Sequence, residues 1–252
     1  MLSAYFNCGE PSRLLINVCE RHEGADYFIF DENHQETFTP SLFSPAFLSE
    51  HNCLVSTNMQ GRGSAWAFHW QDQNYVLRHY RRGGLPAKVN KDQYLWSGLQ
   101  NTRAWREWHL LATASAWQLP CPQPFAAHVR RSGLMYQADL ITLHLPGTQT
   151  LAERLIADSL PRPLWHKVGA TIRRFHDHQI FHADLNANNI LIDEADRVFL
   201  IDFDRGTLRK GRYWKQQNLS RLHRSLQKVW PASSRKNPPP PWTALLEGYA
   251  HT

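Results

Sequence analysis

Cysteine is scarce and scattered in this chain: the four thiols, Cys8, Cys19, Cys53 and Cys121, form no CxxC pair. That spacing suggests no zinc site, and it fits a reduced compartment better than a disulfide-stapled secreted domain. Long apolar runs are missing as well. No stretch approaches the ~20 apolar residues of a membrane-spanning helix. The start, MLSAYFNCGEPSRLL, has no basic segment followed by an apolar one, so no signal peptide is evident. The expected location is the cytoplasm, with contact to a membrane face left open.

What the chain has is bulk and positive charge. Its 252 residues suffice for one large domain or two lobes. Apolar residues at 42% and charged residues at 20% describe an ordinary folded protein. Lys and Arg number 28 against 22 Asp and Glu, a formal charge of +6. The expected partners are therefore anionic: nucleotide, phosphorylated glycolipid, membrane surface or nucleic acid.

The densest signal lies at 181–206, FHADLNANNILIDEADRVFLIDFDRG. His182, Asp184, Leu185 and Asn189 stand in the spacing H-x-D-L-x-x-x-N, and Asp202-Phe203-Asp204 follows, as in a kinase catalytic loop and its metal-binding segment. Ile190, Leu191 and Ile192 predict one short strand, Asp193 to Asp196 a polar turn, and Val198 to Ile201 the return strand. A turn centred between Glu194 and Ala195 sets Asn189 opposite Leu200, and Asp202 emerges at the same open end. Asn189 and Asp202 offer hard oxygen ligands of the kind Mg²⁺ accepts beside phosphate and water. Asp184, in the loop entering the hairpin, is placed to take the proton of an attacking hydroxyl. Any one of these residues alone reads more simply as a turn former or cap; the ordered combination is what points to phosphoryl transfer. His182 is expected to be architectural.

Upstream, the first fifty or so residues read as mixed strand and loop. From Cys53 come a strand, then Gly61-Arg62-Gly63-Ser64, then strands Trp66–Trp70 and Tyr75–Tyr80 around a turn at Gln71–Asn74. Glycines at 61 and 63 would let backbone N–H groups approach phosphate oxygens, although glycine pairs more often mark plain turns. Arg78 ends Tyr75-Val76-Leu77-Arg78, where kinases carry lysine; its fork can grip phosphate, with Lys88 as the competing cation and solvated surface as the bland alternative. A helix is expected over about Gln93–Trp117, with Glu107 either pairing with the strand cation or simply solvated. Pro120, Pro122 and Pro124 end it, a strand follows near Leu134–Leu145, and a hinge at 143–146 would set Leu143 and Leu145 against an adenine edge. The domains expected are thus 1–142, the hinge, and 147–252. Helices are expected from Thr150 to Ile156, from Trp165 to His178 with Val168, Ile172 and Phe175 inward, and from Leu219 to Val229. Pro238 to Pro241 reads as a rigid spacer. No A-P-E motif or long activation segment follows Gly206, which favours a small or lipid-linked acceptor over a protein.

Together these residues resemble the 3-deoxy-D-manno-octulosonic acid (Kdo) kinases of Gram-negative lipopolysaccharide assembly, within the kinase-like superfamily. The resemblance runs from about Gly61 to Lys228. It rests on Gly61-Arg62-Gly63, on the run LRHYRRGGL from Leu77 to Leu85, on Thr102-Arg103 with Glu107, on Ala138-Asp139-Leu140-Ile141-Thr142, on His182-Ala183-Asp184-Leu185-Asn186 and on Leu200 to Gly206. It implies an α+β, bilobal fold: a small, mostly antiparallel N-lobe with one long helix, and a reduced, mainly helical C-lobe. It further implies transfer of phosphate from ATP, with Mg²⁺, to the 4-hydroxyl of a Kdo sugar on a lipid A precursor, Kdo-lipid IVA. Asp184 would be catalytic, Asn189 and Asp202 metal ligands, and Gly61, Arg62, Gly63, Ser64, Arg78, Glu107, Leu143 and Leu145 nucleotide contacts. The acceptor implied is an anionic glycolipid, not nucleic acid, met at the cytoplasmic face of the inner membrane. Arg81, Arg82, Lys88 and Lys91 could steer its headgroup. The run Arg209 to Lys215, with Tyr213 and Trp214, could rest on anionic lipid or be ordinary basic surface. Another sugar or aminoglycoside-type kinase, or a silent lipid- or nucleic-acid-binding scaffold, are the alternatives.

Overall fold

The computed structural model describes residues 16–56, 64–81, 92–157, 160–230 and 242–250. In chain order it forms β1 (Val18–Glu23), β2 (Asp26–Asp31), α1 (Pro45–Glu50), β3 (Leu54–Ser56), β4 (Ser64–Trp70), β5 (Gln73–His79), β6 (Tyr94–Leu95), α2 (Arg103–Ala116), β7 (Pro124–Ser132) and β8 (Met135–Leu143). Then come β9 (Gln149–Thr150), α3 (Leu151–Ile156), α4 (Arg162–Asp177), β10 (Ile180–Phe181), β11 (Ile190–Ile192), β12 (Val198–Leu200), β13 (Thr207–Leu208), α5 (Tyr213–Val229) and α6 (Trp242–Ala250).

The first part is one antiparallel sheet in the order β1-β2-β7-β8-β5-β4-β3, with β6 added to β8. Successive side chains of a strand face opposite ways, and here both faces are covered. Ile29, Ala127, Val129, Ala138 and Leu140 pack against Trp105, Trp108 and Leu111 of α2. On the other face Phe28, Phe30, Tyr75, Leu77, Phe125 and Ile141 lie under Phe38, Leu42, Phe43 and Leu48, from the segment around α1. From residue 16 to α1, the chain is thus a hairpin plus an aromatic cover. Its alternation is hidden because a strand buried on both faces reads as a continuous apolar run.

Several expected boundaries move. The long helix begins at Arg103, not near Gln93: Tyr94 and Leu95 pair with Tyr136 and Met135, and Gly98, at φ +102°, breaks the chain before a single turn at Leu99–Asn101. Pro124 does more than end that helix. It is the first residue of β7, a position a strand tolerates, and β7 joins β2 to β8. The last long helix starts at Tyr213 rather than Leu219. In the hairpin, Ile190 faces Leu200, so Asn189 stands beside Ile201, not Leu200, and the turn centres on Ala195. The cause is Asp193, whose Oδ1 accepts the N–H groups of both Ala195 and Arg197 and widens the turn by one residue.

The second part, helical with small two- and three-stranded additions, is built on α4. Leu164, Trp165, Val168, Ile172 and Phe175 are buried along it at helical spacing, and Pro163 lies in its first turn, where a missing N–H costs nothing. Helix α6 crosses α4 through two glycines. A Cβ on Gly169 would stand 1.9 Å from the Leu245 carbonyl oxygen, and one on Gly248 would stand 2.1 Å from that of His166. Beside this seam the buried His176 shares a 2.8 Å hydrogen bond between its Nδ1 and Tyr249 Oη. Burial pushes its imidazole down to about 4.

Two outcomes follow from the seam. Alanine normally improves a helix over glycine by about 1 kcal/mol, but Gly169→Ala should lower stability by about 1–3 kcal/mol; a higher urea midpoint would contradict the close contact. The unfolded chain protonates His176 near its ordinary 6.5, while the folded chain refuses that proton. Its contribution is therefore complete above about 6.5 and lost as the pH falls toward about 4, by roughly 3 kcal/mol across the window. Urea unfolding over that range should show the loss, flattened in His176→Gln.

Candidate active site

Strand β5 points Arg78 toward α2, and the guanidinium meets two carboxylates there. It pairs with Glu107 of α2 at 2.5 Å and with Asp202 at the open end of the β11–β12 hairpin. Tyr80 completes the group, donating to Glu107 Oε2 at 2.6 Å and accepting from Arg78 Nη2 at 3.2 Å. Glu107 is buried. Burial alone would lower Arg78, but the carboxylates of Glu107 and Asp202 hold it well above its ordinary value. Burial alone would likewise raise Asp202; Arg78 foremost, with the backbone N–H of Asp204, keeps its carboxyl below the usual range. Both stay ionised at neutral pH. Asp202 has left-handed backbone, φ +62°, a conformation that aspartate tolerates better than most side chains.

One helical turn before Glu107, Arg103 reaches the same segment. Its fork grips Asp204, with Nε at 2.8 Å from Oδ1 and Nη2 on Oδ2, and its Nη1 donates to Tyr94 Oη at 2.6 Å. Bidentate pairs of this kind are both strong and directional. Helix α2 is thus tied to 202–204 twice, through Arg78 to Asp202 and directly to Asp204. Phe203 between them is buried against Phe175 and His182.

The loop 182–189 is fixed by backbone contacts. His182 is buried and burial lowers its pKa. Its neighbours define the tautomer: the Ile201 carbonyl can only accept, so Nε2 carries the proton, at 2.9 Å, and the Asp184 N–H can only donate, so Nδ1 is bare, at 3.1 Å. Asn218 of α5 holds His182 from the other side, accepting its N–H at 3.2 Å and donating to its carbonyl at 3.0 Å. Asn189 Nδ2 donates to the Asp184 carbonyl at 2.9 Å, and the Asn189 carbonyl accepts from Ile201 N–H at 3.0 Å. The Asp184 carboxylate itself is half exposed. Its Oδ2 accepts from Asn186 Nδ2 at 3.1 Å and its Oδ1 pairs with Arg221 of α5.

The structure therefore brings Arg78, Glu107, Asp184, Asn189 and Asp202 into one connected set. Ser64 opens β4 opposite His79, next to the Ala65–Arg78 pair. Leu143 ends β8 with its N–H donating to Gln123, and the Leu145 carbonyl accepts from Thr148 Oγ1; both lie in the link from sheet to helices, partly buried. Gly61, Arg62, Gly63, Arg82, Lys88, Lys91 and the spacer Pro238–Pro241 lie outside the described residues. In the basic run, Trp214 is buried, with Nε1 donating to the Arg209 carbonyl at 3.1 Å, so only Tyr213 of the two aromatics is exposed. Arg103, Asn218, Ser225 and Arg221 were missed as site residues. For Arg103 two signals were available: it stands in the Thr102-Arg103 pair that carries part of the family resemblance, and it lies four residues before Glu107, on the same helix face.

Among the described residues no group of three or more His, Cys, Asp or Glu side chains could hold a metal ion. Asn189 and Asp202 together suit a cation such as Mg²⁺ that keeps most of its shell as phosphate oxygens and water.

A family model described as "Lipopolysaccharide kinase (Kdo/WaaP) family" matches residues 49–249. A protein of Mannheimia succiniciproducens named 3-deoxy-D-manno-octulosonic acid kinase is 41% identical over 243 residues, covering 91% of this chain and 98% of its own. Namesakes from Photobacterium profundum, 37% identical with 87% and 93% covered, and Stenotrophomonas maltophilia, 40% identical with 85% of each covered, are similar over most of the chain.

Removing Glu107 leaves the proton of the buried Tyr80 hydroxyl without an acceptor and one side of Arg78 without its carboxylate. Glu107→Ala should cost about 3 kcal/mol, the low end for a broken buried pair because Asp202 still holds Arg78. Glu107→Gln, which can still accept from Tyr80, should cost less. Urea unfolding of the two variants checks the order.

Proposed function

The chain belongs to the lipopolysaccharide kinase (Kdo/WaaP) family and is a phosphotransferase, and from that premise we propose that it moves the γ-phosphoryl of ATP to the 4-hydroxyl of a Kdo sugar on Kdo-lipid IVA, in assembly of the lipopolysaccharide inner core. The observation that supports this most is the link Glu107–Arg78–Asp202, which joins a helix carboxylate, a strand cation and a metal-binding carboxylate beside the loop that carries Asp184.

In this reading Asp184 accepts the proton of the acceptor hydroxyl as it attacks. Asn189, whose Nδ2 is committed to the Asp184 carbonyl, would hold Mg²⁺ with its Oδ1 together with Asp202, and the bound cation would supply charge neutralisation to the phosphate oxygens. Arg78 grips the nucleotide phosphates and Glu107 holds it in line. Gly61, Arg62, Gly63 and Ser64 cover the phosphates, and the backbone near Leu143 and Leu145 borders the adenine, with the lobes dividing at 143–146 into 1–142 and 147–252. His182, neutral and fully bonded, orients the loop without transferring a proton.

The acceptor is lipid-linked, so the site works at a membrane face, the cytoplasmic side of the inner membrane. No described helix is long and apolar enough to cross a membrane, and attachment is peripheral. Leu208 and Tyr213, at 55% and 90% exposure, stand among Arg209, Lys210 and Arg212, a mix suited to an anionic lipid surface.

Incubation with ATP, Mg²⁺ and Kdo-lipid IVA, followed by mass spectrometry of the lipid, should show one added phosphate on the sugar and none on lipid IVA lacking Kdo. Equal rates on the two lipids would sink the acceptor assignment. Asp184→Ala should lower turnover by about 10²–10⁴-fold while ATP binding persists.

A further inference from the structure

The Arg221–Asp184 pair has no part in the assignments above. Helix α5 presents Arg221 directly to the carboxylate, with both side chains about half exposed, at 48% and 47%. The helix is not free to drift. Asn218, one turn earlier, holds the His182 backbone, and Ser225, one turn later, accepts the Ala187 N–H at 3.1 Å. Arg221 is thus anchored on either side beside Asp184. Any hydroxyl close enough to give Asp184 its proton also lies within reach of the guanidinium.

The exposed face of α5 continues the charge. Arg224 and Lys228 follow at helical spacing and are exposed, so Arg221, Arg224 and Lys228 form a stripe about 10 Å long at 1.5 Å per residue. An ion pair whose partners both meet solvent is weak, so the guanidinium can exchange one carboxylate for another at small cost. A guanidinium offers five N–H donors in a fork that matches a carboxylate.

We propose that Arg221 is the specificity-determining residue for the acceptor: it binds the sugar carboxylate beside the reacting hydroxyl, with Arg224 and Lys228 holding anionic groups farther along the glycolipid. This rests on the Kdo-lipid reading, since a Kdo sugar carries that carboxylate. As the acceptor docks, its carboxylate takes Arg221, and Asp184 Oδ1 turns to the hydroxyl. Asp184 Oδ2 stays with Asn186, which keeps the carboxylate oriented throughout.

The test compares Kdo-lipid IVA with the same lipid after its sugar carboxylate is converted to the primary amide. Arg221→Ala should raise the acceptor KM about 10- to 100-fold on the carboxylate lipid, with the ATP KM unchanged and no added loss on the amide. Arg221→Lys, which keeps charge but not the fork, should fall between, and serves if the alanine variant unfolds. Arg224→Ala with Lys228→Ala should raise the KM for both lipids alike. Equal loss on both lipids in Arg221→Ala, or a raised ATP KM, which would place the guanidinium on the nucleotide phosphates, overturns this inference alone. Absence of turnover by the unaltered chain on any Kdo-bearing lipid overturns the functional reading, and this inference with it.

Discussion

Arg78 carries more of this structure than its position in a strand suggests, because its guanidinium meets Glu107 on one side and Asp202 on the other. Sheet, helix and hairpin are held through one cation. Its partner Glu107 is the buried charge, tolerable only when it is paired and hydrogen-bonded on several sides, and Tyr80 supplies the second contact. The same constraint accounts for arginine where related kinase strands have lysine. A single ammonium is a compact point charge, whereas the planar fork can face two carboxylates and a phenol at once. Arg103 repeats the device one turn earlier on Asp204, so the acidic segment is fixed at both ends with Phe203 buried between them.

The loop carrying Asp184 is held differently, chiefly by hydrogen bonds to backbone, with the exposed Arg221–Asp184 pair as its one charge contact among the described residues. His182 bridges the Ile201 carbonyl and the Asp184 N–H in one tautomer, and Asn218 and Ser225 brace the same loop from α5. Among the described residues α5 is the first helix after the acidic segment, and it forms a floor beneath the loop. That gives a physical reason for its buried polar residue: Asn218 satisfies both the N–H and the carbonyl of His182, groups that burial would otherwise leave unpaired.

Legibility followed distance along the chain. The β11–β12 hairpin, the buried face of α4 and the pairing of β4 with β5 could all be read locally, since strand alternation and helical spacing are properties of neighbouring residues. Errors arose where a contact from elsewhere set the boundary. Tyr94 and Leu95 look like the start of α2 until β8 recruits them as a strand; the one-residue slip of the hairpin turn has a local cause instead, Asp193 capping two nearby N–H groups. Asn218, Ser225 and Arg221 carry no periodic mark; each is a single polar residue on a helix, and only its partner across the fold gives it meaning, whereas Arg103 shares a helix face with Glu107.

The sequence by itself determined the order of the chemical groups. Asp184, Asn189 and Asp202 stand at fixed separations around a short hairpin, and local turn and strand preferences suffice to gather them near one end. Only the tertiary structure decided that Arg78 pairs with Asp202, that Glu107 is buried and paired rather than solvated, that Trp214 lies in the core, and that Arg221 rests on Asp184. Ion pairs and hydrogen bonds depend on distances of a few ångströms between residues far apart in the chain, and those distances are set by how sheet and helices pack.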